Sequence, residues 1–119
     1  MAQKYKGVPN VLYEIYNEPV HVSWTADLVP YHTAVIKAIR KYDTKNIIIV
    51  GTPTWSQDVD IASKKPIKTS RISCNTLHYY AQTHRQSLRN KAQTALNNGL
   101  PIFITESGTT SADGNGTVI

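Results

Sequence analysis

The sequence has a single cysteine, Cys74, among 119 residues. No internal disulfide can form, and no zinc site with two or more thiolates can be built. Long apolar runs are missing too. The longest, Ile47-Ile48-Ile49-Val50, has the length of a strand and falls far short of the roughly 18 residues that suggest a membrane-spanning helix. There is no internal repeat and no low-complexity tract. Met1 runs straight into Ala2-Gln3-Lys4-Tyr5-Lys6 without the apolar core of a secretory leader. The length suits one compact domain and excludes a complete (β/α)8 barrel, which takes about 250 residues.

What is present is a globular composition. Hydrophobic residues make up 40% and charged residues 18%, which excludes a disordered, collagen-like or coiled-coil chain. Thirteen basic and eight acidic residues give a net charge of +5, and a basic surface attracts acidic partners. The bases are scattered, however. The densest group, Lys64, Lys65, Lys68 and Arg71, has no interleaved aromatic motif and no finger spacing, so it reads as a solvated face. Neither nucleic acid nor a membrane is expected as a partner.

Hydrophobic periodicity alternates between two types. Strands are expected at Asn10–Tyr16, Asn46–Val50, Arg71–Leu77 and Pro101–Thr105. A helix is expected over Asp27–Tyr42, with Leu28, Tyr31, Val35, Ala38 or Ile39, and Tyr42 on its inner face and Pro30 in its first turn. A second spans Ser87–Asn98, with Leu88, Ala92, Ala95 and Leu96 inward, Gly99 as its cap and Pro101 as its stop. Gln57–Ala62 reads as a short helical turn, and Ser107–Gly116 as a loop. Tyr13, Tyr16 and Phe103 read as core, and Cys74 as an inert small hydrophobe. Trp24 either caps a helix or reaches a substrate. The order β-α-β-α-β-α-β with unbroken apolar strands implies a parallel α/β sheet, and such sheets carry their chemistry at the C-terminal ends of the strands.

Those ends are polar here. They read Asn17-Glu18-Pro19, Gly51-Thr52 with Trp55 just beyond, His78-Tyr79-Tyr80, and Thr105-Glu106-Ser107-Gly108. Two glutamates delivered to one sheet end are what glycoside hydrolysis requires. One protonates the leaving oxygen, and the other attacks or activates water. His78, with Cys74 and His84, superficially resembles a metal cluster but lacks compact ligand spacing, so no metal and no cofactor is expected.

The motifs resemble glycoside hydrolase family 5, the cellulases of the retaining (β/α)8 clan. Pro9–Pro19 is similar to that family's fourth strand, Asn46–Val59 to its fifth, Thr76–Ala81 to its sixth and Ile102–Glu106 to its seventh. The likeness covers the whole chain. It is close to the secreted endo-β-1,4-glucanases of bacteria and of plant-feeding nematodes and beetles. It implies that Glu18 is the acid/base and Glu106 the nucleophile. It also implies that Asn17 bonds the sugar 2-hydroxyl, that His78 lines the site beside Glu18, that Tyr80 holds Glu106, and that Trp55 is a sugar platform. One position departs from the pattern. Ser107 stands where the family carries a bulky aromatic, which changes packing beneath the site.

The implied substrate is a β-1,4-glucan such as cellulose. The alternatives are another β-glycan of mannan or xylan type, or a non-catalytic carbohydrate-binding relative. The Gly51-Thr52-Pro53-Thr54-Trp55-Ser56-Gln57-Asp58 stretch favours glucan, and the presence of both glutamates favours catalysis. The implied parent is a secreted, monomeric enzyme, and residues 1–119 are expected to be an internal part of its catalytic barrel, with Met1 an internal methionine. Four strands of an unclosed barrel leave two edges and half a core uncovered. The isolated chain is therefore expected to aggregate and to be inactive. Calorimetry of the purified chain should show no cooperative unfolding transition, and a cooperative transition from a monomer would overturn the expectation.

Overall fold

The computed structural model describes residues 1–69 and 73–118. Four strands, β1 (Tyr13–Glu14), β2 (Ile48–Val50), β3 (Ser73–Tyr80) and β4 (Ile102–Gly108), form one sheet in the order β1-β2-β3-β4. Every pairing is parallel. Sequential parallel strands require a crossover between each pair. These crossovers hold α2 (Val29–Arg40), the short α3 (Pro53–Ser56) and α4 (Val59–Lys64), and α5 (Gln86–Asn97). A single turn, α1 (Ala2–Tyr5), precedes β1.

The expected strands are present with shifted bounds. β1 shrinks to two residues because, among the described residues, it has one neighbour, and its ladder reduces to Tyr13 N–H on Ile47 O and Ile15 N–H on Ile49 O. β4 runs three residues past Thr105, because Ser107 and Gly108 pair with Tyr79 and Tyr80. Arg71, the expected start of the third strand, lies outside the described residues.

The first long helix opens with a π-helical turn over Trp24–Leu28 that the periodicity did not signal. Its start is capped reciprocally. The Ser23 hydroxyl accepts from Ala26 N–H, and Asp27 accepts from Ser23 N–H. Pro30 falls in the first turn of α2, where its missing N–H costs little. The inner face is a correction. Leu28, His32 and Ile36, four residues apart, are buried, whereas Tyr31 and Tyr42 are each 43% exposed. A histidine counts as polar in a hydrophobic pattern, but this one turns inward to bond the Gly51 carbonyl at 2.8 Å. Tyr16, expected in the core, is also exposed and meets Tyr31 edge-on at 5.6 Å.

The core lies between the sheet and its helices. Ile48 and Val50 of β2, Leu77 of β3, Leu28 and Ile36, Val59 and Ala62 of α4, and Leu88 and Ala95 of α5 form one cluster. Each large member contributes about 1.5–3 kcal/mol by leaving water. Leu96, expected inward, is 55% exposed. Trp24 is buried, and its indole N–H donates to Lys65 O just beyond the end of α4. Its role is therefore to cap a helix rather than to meet substrate. Cys74 is half-buried, and burial pushes its thiol up, away from reactivity. Asp43 closes the α2–β2 turn. Burial alone would raise its carboxyl, but the N–H groups of Asn46 and Lys45 and the Tyr13 hydroxyl hold it below its ordinary value. Gly99 ends α5 at φ +78°, with its N–H on Leu96 O and Leu100 N–H on Ala95 O.

His32 is fully buried, and its Nδ1 has no partner. Burial pushes its pKa below the usual 6.5. The folded state therefore resists a proton that the unfolded chain accepts. Stability contributed here is complete above pH ~6.5 and declines as pH falls from there toward the depressed folded value. In a closed barrel carrying these residues, His32→Gln should flatten that part of the Tm–pH curve. An unchanged slope would exclude His32 as the source.

Candidate active site

The C-terminal end of the sheet gathers its polar residues through three local devices. The first is close approach at Gly51. A Cβ there would lie 2.4 Å from Tyr16 O and 2.9 Å from Pro19 Cδ. Only glycine lets the end of β2 pack directly against the Asn17-Glu18-Pro19 loop.

The second is a strained turn. Thr54, Trp55 and Ser56 all have φ between 53° and 57°, a left-handed conformation that costs non-glycine residues about 1–3 kcal/mol each. Bonds hold it in place: Trp55 N–H on Pro19 O at 3.1 Å, Ser56 Oγ on Asn17 O at 2.8 Å, and Thr54 Oγ1 on Asp58 at 2.7 Å. Asp58 is in turn gripped by Lys91 of α5. The turn leaves the Trp55 side chain half-exposed at the rim of the site.

The third is a bulge. Thr76 pairs with Phe103, but His78 pairs with Glu106, so β4 carries one extra residue across that interval. In a regular strand, Thr105 and Glu106 would point to opposite faces. Here both reach the same imidazole. His78 Nε2 lies 2.8 Å from Thr105 Oγ1, and His78 Nδ1 lies 3.6 Å from Glu106 Oε2.

His78, 2% exposed, is the hub. Its Nδ1 is 2.9 Å from Glu18 Oε1. The Tyr80 hydroxyl donates to Glu106 Oε1 at 2.7 Å. That bond, followed by burial and the charges of Glu106 and Glu18, pushes the phenol above 10, so it stays a donor. Gly108 makes room for the ring, since a Cβ there would lie 2.6 Å from Tyr80 Cδ1. A cavity of about 420 Å³ opens between Glu18, Glu106, His78, Tyr80 and Trp55.

Asn17 is exposed and does not line that cavity. Its carbonyl anchors Ser56. The residues that sequence reasoning missed are Thr105, Glu14, Gln57 and Thr83, together with His84, noticed only as a mimic of a metal ligand. His84 accepts the Tyr80 N–H at 2.8 Å, and burial lowers its pKa, which favours a neutral ring at the cavity wall. Its spacing of six from His78 was the available signal. One carboxylate oxygen each of Glu18 and Glu106 and a nitrogen of His78 lie within 4.8 Å of one another, the one such group among the described residues. Both ring nitrogens already have hydrogen-bond partners, Glu18 and Thr105.

A parallel α/β sheet presenting two carboxylates at its C-terminal end defines the class. The family model for cellulase (glycosyl hydrolase family 5) matches residues 1–118, and the chain belongs to that family. It is 61% identical over 118 residues to endoglucanase Z of Dickeya dadantii, covering 99% of this chain and 28% of that protein. A Cytophaga hutchinsonii structure superposes with a TM-score of 0.94 at 51% identity, covering 99% of this chain and 39% of that one. The catalytic domain of Thermobifida fusca endoglucanase Cel5A, solved as a glutamate-to-glutamine variant with cellotetraose, matches at TM-score 0.89 and 34% identity, covering 99% and 40%. Solved domains of this family are (β/α)8 barrels, and the four parallel strands are one part of that barrel. The chain spans under a third of the curated relative's length.

Gly51→Ala tests the close approach. In a barrel carrying these residues it should cost about 1–3 kcal/mol, as overpacking does, because both neighbours of the new Cβ belong to the Glu18 loop. An unchanged Tm would show that the loop yields freely.

Proposed function

We propose that this chain supplies the catalytic pair of a retaining endo-β-1,4-glucanase. The observation that carries the reading is the approach of the Glu18 and Glu106 carboxylates to within 4.8 Å around His78. Retaining glycosidases keep their carboxyl groups about 5–5.5 Å apart, and inverting ones about 6.5–9.5 Å apart to admit a water. The approach here falls on the short side of that divide.

In the first step a Glu106 oxygen bonds to the anomeric carbon as the glycosidic C–O bond breaks, and the leaving oxygen takes a proton from Glu18. In the second, water attacks that carbon, gives its proton to Glu18, and the bond to Glu106 breaks. Protons and bonds balance without a metal or cofactor. Tyr80 keeps a hydrogen-bond donor on Glu106 and orients it for attack. Asn17 lies outside the cavity lining, beside Glu18 on the same loop, and its assignment to the 2-hydroxyl, in a bond that tightens in the transition state, rests on the family motif. Trp55 offers a flat apolar face to a glucose ring. A β-1,4-glucan is the substrate, supported by the endoglucanase names of the relatives and by the cellotetraose complex of one of them. Such a polymer cannot enter a cell, so the enzyme acts outside it, as a monomer. No helix among the described residues is long and apolar enough to cross a membrane.

The test is a chimera in which residues 1–118 replace the matching segment of Dickeya dadantii endoglucanase Z. It should cleave cellotetraose, with the β anomer appearing first by proton NMR. Glu106→Gln in the chimera should fall below a tenth of parental turnover while still binding cellotetraose. Turnover above a tenth would remove Glu106 from the nucleophile role, and initial α anomer would remove the retaining mechanism.

A further inference from the structure

A third glutamate lies behind the carboxylate pair, and the two steps above do not use it. Glu14 follows the buried Tyr13 on β1 and takes the opposite face of the sheet. Its Oε1 accepts from Thr105 Oγ1 at 2.9 Å and lies 3.8 Å from His78 Nε2. Thr105 Oγ1 also meets His78 Nε2 at 2.8 Å and Thr76 Oγ1 at 2.6 Å. The protons can be counted. A hydroxyl donates once and accepts twice, and a carboxylate only accepts. The Thr105 proton therefore goes to Glu14. The two remaining places on the oxygen are filled by the Thr76 hydroxyl and by an N–H on His78 Nε2.

With Nε2 protonated, a neutral ring presents a bare lone pair at Nδ1, facing Glu18 Oε1 at 2.9 Å. That contact closes only around a further proton, shared between Glu18 and the ring. In the opposite tautomer, Nδ1–H would satisfy the carboxylate with no transferable proton present.

We propose that Glu14 is a positioning residue. Through Thr105 it fixes the Nε2–H tautomer of His78, so that the Glu18–His78 contact holds the proton that Glu18 delivers to the leaving oxygen. This rests on the reading of Glu18 as acid/base. Without the Glu14 acceptor, the Thr105 proton can turn to Nε2 and the ring can adopt the other tautomer. The step that suffers is protonation of the leaving group. A leaving group that departs unassisted is spared.

The experiment uses the same chimera. For Glu14→Ala, kcat/KM on cellotetraose should fall about tenfold or more, part of the 10²–10⁴ that general acid catalysis supplies. On 2,4-dinitrophenyl β-cellobioside, whose leaving group needs no proton, it should stay within about threefold. Glu14→Gln, which keeps a carbonyl acceptor, should restore cellotetraose cleavage to within about threefold. The ring ¹⁵N shifts of histidine-labelled chimera should show His78 protonated at Nε2 in the parent and not in Glu14→Ala. Equal loss on both substrates would mark Glu14 as merely structural and overturn the proposal. So would no loss on either, or a parent His78 without a proton on Nε2. If Glu14→Ala does not fold, Glu14→Gln and the parent spectrum decide. An inactive parent chimera would instead fail the functional reading, and the ¹⁵N shifts would still test the wiring.

Discussion

One additional residue in β4 organises the site. The interval from Phe103 to Glu106 is matched against Thr76 to His78, so two consecutive side chains of β4 reach the imidazole instead of one. Remove that residue from the register and either Thr105 or Glu106 turns to the other face. The carboxylate pair, the Tyr80 bond to Glu106 and the Thr105–Glu14 contact behind His78 all depend on this local fault in an otherwise regular parallel ladder. Bulges recur beside active sites because they re-aim side chains in this way.

The same end of the sheet spends stability on geometry. Three successive left-handed residues, a buried histidine with one unpaired nitrogen, and a glycine packed on a proline are unfavourable or permissive local choices. The surrounding packing over-determines them. Trp55 and Ser56 are held by carbonyls of the Glu18 loop, Pro19 O and Asn17 O, and Asp58 ties the turn to α5 through Lys91. The aromatic rim and the Glu18 loop are thus one mechanical unit. His32 extends that unit to α2 through Gly51.

Much of this was legible in the residues. The alternation of periods gave the parallel sheet and the order of elements along the chain, because a buried strand and an amphipathic helix leave distinct patterns, and the resemblance of the strand-end motifs gave the family. The inner face of α2 was misread because His32 is buried for a hydrogen bond and not for apolarity. Tyr16 and Tyr31 were misread because two tyrosines can pack edge-on at an exposed rim, where the Tyr31 hydroxyl donates to Ile15 O. The Trp24–Leu28 turn left no periodic signal, since a wider turn breaks the 3.6 period. Thr105 and Glu14 were passed over because neither type is rare and their partners lie far along the chain.

The sequence by itself determined which chemistry was available: two glutamates, a histidine, a tyrosine and a tryptophan at the ends of parallel strands. That follows from local pattern and from order along the chain. Tertiary structure alone decided that Glu18 and Glu106 approach to within 4.8 Å around His78, and that Glu14, Thr105 and His78 stand within hydrogen-bond reach of one another. Those facts depend on register across β3 and β4 and on contacts between residues as many as 91 positions apart. Register is set by the bulge, and no pattern within one strand encodes the phase of its neighbour.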